Sequence, residues 1–297
     1  MKILNFGSLN IDYVYSVDHF VRSGETLDSS SLELFAGGKG LNQSIAFARA
    51  GAKVFHAGSI GSEGTFLVDT LSDNNVNTEF ILKSTDVQTG HAIIQVTGSG
   101  ENCILLFGGA NATIKKDFID SCIESFSSGD FLMLQNEIND IDYIISKAHS
   151  KGLTIALNPS PFNEKIEALD LSLIHWLILN ETEGKELTGK ELPQDIIDCL
   201  LLRYPDLKIV LTLGADGSVY ADSSCKIQQN AFKANAVDTT AAGDTFTGYF
   251  FASLMRGEAP AKALRIASAA SAIAVSRKGA SPSIPTYQEV LSSEYLK

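Results

Sequence analysis

Apolar positions follow two rhythms along the chain. Short runs of β-branched and large apolar residues, Lys2–Phe6, Val54–Ala57, Phe131–Leu134, Leu153–Leu157, Trp176–Leu179 and Ile209–Leu213, read as buried strands. Between them, apolar residues three and four apart predict helices over Leu41–Ala50, ending at Gly51, then Phe66–Ser72, Ile141–Ser150, a short piece near Thr182–Leu187, and Asp195–Tyr204. Two long helices follow toward the C-terminus, the first carrying Phe246, Tyr249, Phe250, Phe251 and Leu254. Strands alternating with helices predict an α/β fold, a doubly wound and mostly parallel sheet covered by helices on both faces.

Two segments break this rhythm. Val14–Phe35 holds β-branched and aromatic residues interrupted by Ser23-Gly24 and Ser29–Ser31, which predicts short strands, and Thr89–Thr97 with Asn102–Phe107 alternates around Gly98-Ser99-Gly100 as a hairpin. Together they predict a small β-sheet apart from the main body, made by insertions at about residues 13–36 and 89–108. With no internal repeat, low-complexity tract or Pro-rich linker, residues 1–297 are expected to form a single α/β domain that carries this small sheet as an insertion.

Charge narrows the function. The net charge is −12, from 35 acids against 23 bases, and no run of Lys or Arg occurs, so the footprint of a nucleic-acid partner is missing. The apolar run Leu171–Leu179 is broken by Ser172 and His175, and one Lys precedes the polar segment Gly7–Asp12. Neither a membrane span nor an export signal is expected, and a cytoplasmic location follows. Cys103, Cys122, Cys199 and Cys225 form no C-x-x-C pair and are expected to be reduced and mostly buried. His19, His56, His91, His149 and His175 are scattered, so zinc chemistry is not supported.

The residues with chemical promise cluster after predicted strands, where open α/β sheets bind ligands. In Ala236–Tyr249, the small residues Ala241, Ala242 and Gly243 form a turn whose amides suit an anion, and Asp244 follows at the mouth of the helix. An acid inside an anion site makes sense as the base that deprotonates an attacking hydroxyl, which points to phosphoryl transfer; the plainer alternative is a first-turn acid favoured by the helix dipole. Phe35–Gln43 places three glycines in four residues before a helix, with Asn42 on its first turn. It is not a P-loop, and Gln43 stands where a dinucleotide fingerprint needs glycine. Asn10 and Asp12 share a side if extended and suit a sugar, or form an Asx turn; Glu137 is another candidate for a hydroxyl, or a solvated loop acid. Asn180 and Glu183 follow a strand, where Glu183 suits the water shell of Mg²⁺, although N-x-x-E is also a capping box. Thr212–Gly217 suits a phosphate tail or a simple hairpin turn.

Two signatures, G-G-K-G-x-N-Q at Gly37–Gln43 and D-T-x-A-A-G-D-T-F at Asp238–Phe246, give the chain its resemblance to the ribokinase branch of the PfkB-type carbohydrate kinases. Supporting segments are N-I-D at Asn10–Asp12, G-E-N at Gly100–Asn102, G-A-N at Gly109–Asn111, L-N-P at Leu157–Pro159, N-E-T-E at Asn180–Glu183 and R-K-G-A-x-P-S at Arg277–Ser283. The resemblance implies a ribokinase-like core with the small sheet as a lid, and ATP-dependent phosphorylation of D-ribose at its 5-hydroxyl with Mg²⁺. It implies sugar contacts at Asn10, Asp12, Gly38, Lys39, Asn42 and Glu137, with Asp244 as base and Ala241, Ala242 and Gly243 as anion hole. By the same likeness Asn180, Thr212, Gly214, Gly217, Gly243 and Ser268 would line the ATP site. An activating K⁺ would sit at Asp238, Thr240, Ala274, Arg277, Gly279 and Ser283, and two copies would pair through the lid as a homodimer. Two departures bear on the sugar: Gly58–Gly64 lacks the Asp of the family's G-x-D-x-x-G and is shorter, and Gln135-Asn136-Glu137 replaces Gln-Leu-Glu, which would put an amide beside the sugar carboxylate. Another pentose, a ketohexose, a nucleoside, or a catalytically silent sugar-binding regulator are the alternatives.

Overall fold

A computed structural model describes residues 1–297. The chain begins with β1 (Ile3–Phe6), β2 (Asn10–Val17), β3 (Ser31–Gly37), α1 (Lys39–Arg49), β4 (Val54–Ile60), α2 (Thr65–Asp73) and β5 (Asn77–Lys83). It continues through β6 (Gly90–Thr97), β7 (Asn102–Phe107), α3 (Lys116–Glu124), β8 (Phe131–Gln135), α4 (Ile141–Lys151), β9 (Thr154–Asn158) and α5 (Glu164–Glu167). Then come β10 (Trp176–Asn180), α6 (Glu181–Thr188), α7 (Pro193–Arg203), β11 (Lys208–Thr212), β12 (Ser218–Ala221) and β13 (Lys226–Gln229). The chain closes with α8 (Ala242–Met255), α9 (Pro260–Val275) and α10 (Tyr287–Ser292).

Nine strands form the main sheet in the order β13-β12-β11-β10-β9-β8-β1-β4-β5, parallel throughout except for the antiparallel pairs β11·β12 and β12·β13. Successive strand residues point to opposite faces, so the core divides in two. Met133, Trp176, Ile178 and Val210 join α1, α8 and α9 in a cluster of 35 buried residues, and Leu132, Leu134, Leu177 and Leu211 join α3, α4 and α7 in one of 32. The small sheet is separate, with order β3-β2-β6-β7. Its first segment holds two full strands rather than short ones, starting at Asn10, ahead of the expected residue 13, and reaching Gly37.

Helix α8 is apolar nearly all round and buried on every side from Asp244 to Ser253, the pattern of a helix inside a core. Phe251 packs on Phe131 and Trp176, and Phe246 stacks on Phe250. Burying each such ring contributes about 1.5–3 kcal/mol and fixes the helix against the sheet. The approach to α1 is closest at Gly248, where a Cβ would lie 2.4 Å from the Ala46 Cβ. One turn earlier on each helix stand Asp244 and Asn42, so this backbone contact sets how near those two side chains come.

The cysteine expectation needs correcting. All four are free, but only Cys122 is fully buried; Cys103, on β7, and Cys225, in the turn before β13, are exposed because both lie on strands or turns without a covering layer. No helix is long and apolar enough to cross a membrane.

Candidate active site

The strand ends of the main sheet bring the polar candidates to one edge. Gln135 ends β8 and is in register with Asn158, which ends β9; Asn180 ends β10 in register with Thr212, the end of β11. Above β1 the chain passes through Gly7–Leu9 into the lid strand β2, which carries Asn10 and Asp12 on one face.

The glycine-rich entry to α1 is required sterically. Gly38 has φ +96°, a conformation that disfavours side chains, and a Cβ on Gly37 would collide with the Asp12 carboxylate at 2.0 Å. Gly40 packs directly on Gly7 and Ser8, where a Cβ would lie 2.4 Å from the Ser8 nitrogen. This tight packing delivers the backbone N–H of Lys39 to Glu137 Oε2 at 3.0 Å, and Ser8 Oγ donates to the same oxygen.

Asp244 is buried at the first turn of α8 and both its oxygens are engaged. Asn42 Nδ2 donates to Oδ2 at 3.1 Å and Gln43 Nε2 to Oδ1 at 3.0 Å. Burial pushes its carboxyl above the ordinary carboxylate range, against the pull of the Lys39 ammonium and the two amides. Burial works against the charge on Lys39 as well, but Asp244, Glu137 and Glu183 surround it and hold its pKa above the ordinary lysine value. Glu137 is raised by burial, which outweighs Lys39 and Ser8. In the lid, burial and then Glu137 push Asp12 up to about 7. One cation among several carboxylates leaves room for a ligand that brings hydroxyls on one side and anionic oxygens on the other.

At the start of α8, the Ala242 N–H turns back to the Thr239 carbonyl at 3.2 Å, while those of Ala241, Gly243 and Asp244 donate to no protein acceptor. A Cβ built on Gly243 meets nothing within 4 Å. The unengaged Gly243 amide therefore lies beside a space open to an anion. Ser271 Oγ, on α9 one turn beyond Ser268, donates to the Ala242 carbonyl at 3.1 Å and braces this corner.

Farther along the edge both open alternatives from the sequence coexist with the candidate site. Asn180 and Glu183 do form a capping box, Glu183 Oε2 accepting from the Asn180 N–H at 3.0 Å and the Glu183 N–H donating to Asn180 Oδ1 at 2.9 Å. Thr212–Gly217 does turn the hairpin from β11 into β12; Gly214 has φ +54° and Gly217 φ +102°. Asp238 accepts from the Thr240 N–H at 2.9 Å and from the Gly279 N–H at 2.9 Å, which ties the segment before α8 to the loop after α9. The Ala274 carbonyl accepts from the Arg277 N–H at 3.0 Å, Arg277 extends to Glu289 at 2.6 Å, and Ser283 Oγ donates to the Ala280 carbonyl at 2.7 Å. No group of three or more His, Cys, Asp or Glu side chains is placed to hold a metal ion.

Residues to which the sequence assigned no role complete the site. Asn111 donates to Asn10 Oδ1 at 2.8 Å and to the Leu9 carbonyl at 3.2 Å, pinning the base of the lid. Glu63 Oε1 accepts from the Thr89 N–H at 2.7 Å and Thr89 Oγ1 accepts from the Gly61 N–H at 2.9 Å, so the Gly58–Gly64 segment holds the lid's second entry without the family's Asp. Gln43 belongs to a quoted signature and Ser8 to the polar segment Gly7–Asp12, and neither carried an assigned role. The Asn136 amide does not stand beside the sugar carboxylate as expected. It donates to the Pro161 carbonyl at 2.6 Å, because the β8 turn aims alternate residues to opposite sides. Clefts of about 560 and 500 Å³ lie beside Arg49 and Arg277 and beside Tyr13, Glu63 and His91, and neither is lined by Asp244. Converging polar groups mark this site.

Comparison with known proteins gives the family and the fold. The pattern of the pfkB family carbohydrate kinases matches residues 1–287. The ribokinase of Haemophilus influenzae is 36% identical over 299 residues, covering 98% of this chain and 97% of that protein. The ribokinase of Bacillus subtilis is 34% identical, covering 97% and 98%. Among solved structures, Arabidopsis thaliana ribokinase complexed with ribose and ATP superimposes with a TM-score of 0.86 at 28% identity, covering 100% of this chain and 98% of that one. Cryptococcus neoformans ribokinase in complex with ADP gives 0.85 at 32% identity, covering 97% and 98%. With its ribokinase-like architecture and both signatures at one strand-end crevice, the chain belongs to the pfkB family of carbohydrate kinases.

Proposed function

We propose that this protein transfers the γ-phosphoryl group of ATP to the 5-hydroxyl of D-ribose. The observation that carries the reading is the buried Asp244 carboxylate, held by two amides of the sugar-side helix and adjoining the unengaged Gly243 amide. Asn10 and Asp12 reach the sugar from the lid, and Gly38, Lys39, Asn42 and Glu137 from the core. Asn42 Oδ1 is buried without a donor in the protein, which suits a sugar hydroxyl.

Asp244 takes the proton of the 5-hydroxyl as that oxygen attacks the γ-phosphorus, the bond to the β–γ bridging oxygen breaks, and ADP leaves with its electrons. The amides of Ala241, Ala242 and Gly243 line the anion hole, those of Ala241 and Gly243 free to meet the growing negative charge, and Lys39 adds its cation. Asn180, Thr212, Gly214, Gly217 and Ser268 line the nucleotide end. Glu183 spends one oxygen on its cap, which leaves the other for the water shell of Mg²⁺. Mg²⁺ on the phosphates would neutralise their charge. Asp238, Thr240, Ala274, Arg277, Gly279 and Ser283 would offer only oxygens, several from the backbone, as a hard monovalent cation such as K⁺ requires; the Arg277 guanidinium is drawn off toward Glu289. The acidic chain and its four free cysteines suit the reducing cytoplasm.

ADP release measured against ribose, deoxyribose, fructose, adenosine and pseudouridine tests the substrate. Ribose is expected to give the highest kcat/KM. Deoxyribose is the second reading, because the Salmonella typhimurium deoxyribokinase is 28% identical over the full chain. Ribose bound without turnover in the presence of ATP would instead support a silent regulator.

The lid also supports a homodimer. Ile104, Leu105, Leu106 and Phe107 are all exposed on the edge strand β7, as are Leu32 and Leu34 on β3. An uncovered apolar edge is a pairing surface, and a second copy would bury it. Sedimentation at micromolar concentration is expected to give a dimer; a monomer would overturn this part of the reading.

A further inference from the structure

The Asp244 carboxylate stands at the end of a directional chain of buried side-chain amides. Asn5 Nδ2 donates to the Gly40 carbonyl at 2.7 Å and to Ser44 Oγ at 2.7 Å, which leaves Asn5 Oδ1 facing Gln135. Gln135 Nε2 donates to Asn5 Oδ1 at 2.9 Å and to Gln43 Oε1 at 2.7 Å. With its oxygen thus engaged, Gln43 directs Nε2 to Asp244 Oδ1 at 3.0 Å and to Asn158 Oδ1 at 3.3 Å. Asn5, Gln43 and Gln135 are each fully buried.

An amide can be turned end for end with little change in shape, so its direction is decided by its partners. Here the decision starts at a backbone carbonyl, which can only accept. Turning Asn5 would set its oxygen against the Gly40 carbonyl; turning Gln135 or Gln43 alone would set oxygen against oxygen. Gln135 Oε1 is left buried without a donor, close to Gly7, an orphan acceptor that the fold tolerates while both Nε2 hydrogens are used. On the far side, Ser44 Oγ meets His56 Nδ1 at 2.8 Å, and burial keeps that imidazole neutral, with its pKa lowered to about 3. The chain therefore carries no charge of its own up to Asp244.

We infer that Gln43 is a positioning residue for the phosphoryl-transfer base, its amide direction set by the Gly40 carbonyl through Asn5 and Gln135 so that a donor always meets Asp244. The inference rests on Asp244 being the base. Gln43 steadies the ionised carboxylate that accepts the hydroxyl proton and holds its second oxygen toward the Asn42 side. Gln135 acts one step further back, and neither residue is required to touch sugar or nucleotide.

The test is the pH profile of kcat with ribose for the full-length Gln43→Met and Gln135→Leu proteins, alongside Asp244→Asn. Removing a donor to a charged carboxylate raises its pKa, so the acid limb of Gln43→Met is expected to move up by about 0.5–1 pH unit, with kcat about 10-fold lower at neutral pH. KM for ribose should stay within about twofold, because uniform binding is untouched. Gln135→Leu should move the limb in the same direction by less. Limbs at the wild-type pH in both variants, or a loss of kcat and KM together with the limb unmoved, would overturn the inference. Should Gln43→Met fail to fold, Gln135→Leu alone decides by the same limb. If Asp244→Asn keeps wild-type turnover, the assignment of the base fails instead, which separates the two results.

Discussion

The core and the lid are held together in opposite ways. At the α1·α8 junction backbones nearly touch at Gly248, aromatic rings lock α8 to the sheet, and the buried amides are matched end to end with Asp244. The lid is a four-stranded sheet with exposed apolar residues on both edge strands, joined to the core through Asn111, Thr89 and the turn Gly37-Gly38. One region is tied by close backbone packing and buried hydrogen bonds; the other is tied to the core at a few points. In the proposed function the chemistry accordingly belongs to the core, and the lid adds Asn10 and Asp12 to the sugar contacts that the core supplies.

The largest effect that would break this division is expected at Asp244. Asp244→Asn should leave the fold and ribose binding intact while lowering kcat by about 10² or more, the scale of a lost general base, as read by steady-state kinetics and ribose titration. Next comes the junction itself. Gly248→Ala would force α1 and α8 apart, costing about 1–3 kcal/mol of stability in denaturant unfolding and lowering kcat through the displaced Asn42 and Gln43. The matching perturbation in the lid, Asp12→Asn, should raise KM for ribose about 10-fold and leave kcat close to wild type.

Protonation sharpens the contrast. The free protein holds a proton on Asp12 up to about pH 7, and sugar hydroxyls bind best to the ionised carboxylate, so KM should fall as pH rises through about 7. That dependence should vanish in Asp12→Asn; KM constant across this range in the wild type would remove Asp12 from the sugar site. The smallest effect is expected from the monovalent cation. K⁺ in place of Na⁺ should raise kcat about two- to fivefold by steadying the backbone around Asp238, a gain of under 1 kcal/mol. Equal rates in the two salts would dispose of that site.

Much of the core was legible because its periods are clean. β8, β10 and β11 are unbroken apolar runs, α1, α4 and α7 show helical spacing, and the small residues before Asp244 announce a helix entrance. β5 was not, since an edge strand with half-exposed residues has no alternation to display. α3 carries Phe118, Ile119, Cys122 and Ile123 at helical spacing, yet it is short and lies among polar loops. α10 is only six residues long. β2 and β3 were read as shorter than they are because Leu32 and Leu34 are exposed on β3 and blur the alternation of a half-buried sheet, whereas the hairpin of β6 and β7 was read nearly at its bounds. Within the site, the carboxylates and glycines could be found from motif and strand end. The role of Gln43 could not, because its direction depends on Asn5 and Gln135, 38 and 92 positions away in sequence.

The strand ends Gln135, Asn158, Asn180 and Thr212 also act as a ruler. Neighbouring strands lie about 4.8 Å apart, so the amide corner at Gln135 and the turn after Thr212 are separated by three such steps, about 14 Å. Ladder hydrogen bonds alone set that interval, and side-chain replacements on either bank leave it unchanged. A scaffold graduated in this way lets the acceptor-recognising end diversify while the donor end keeps its gauge.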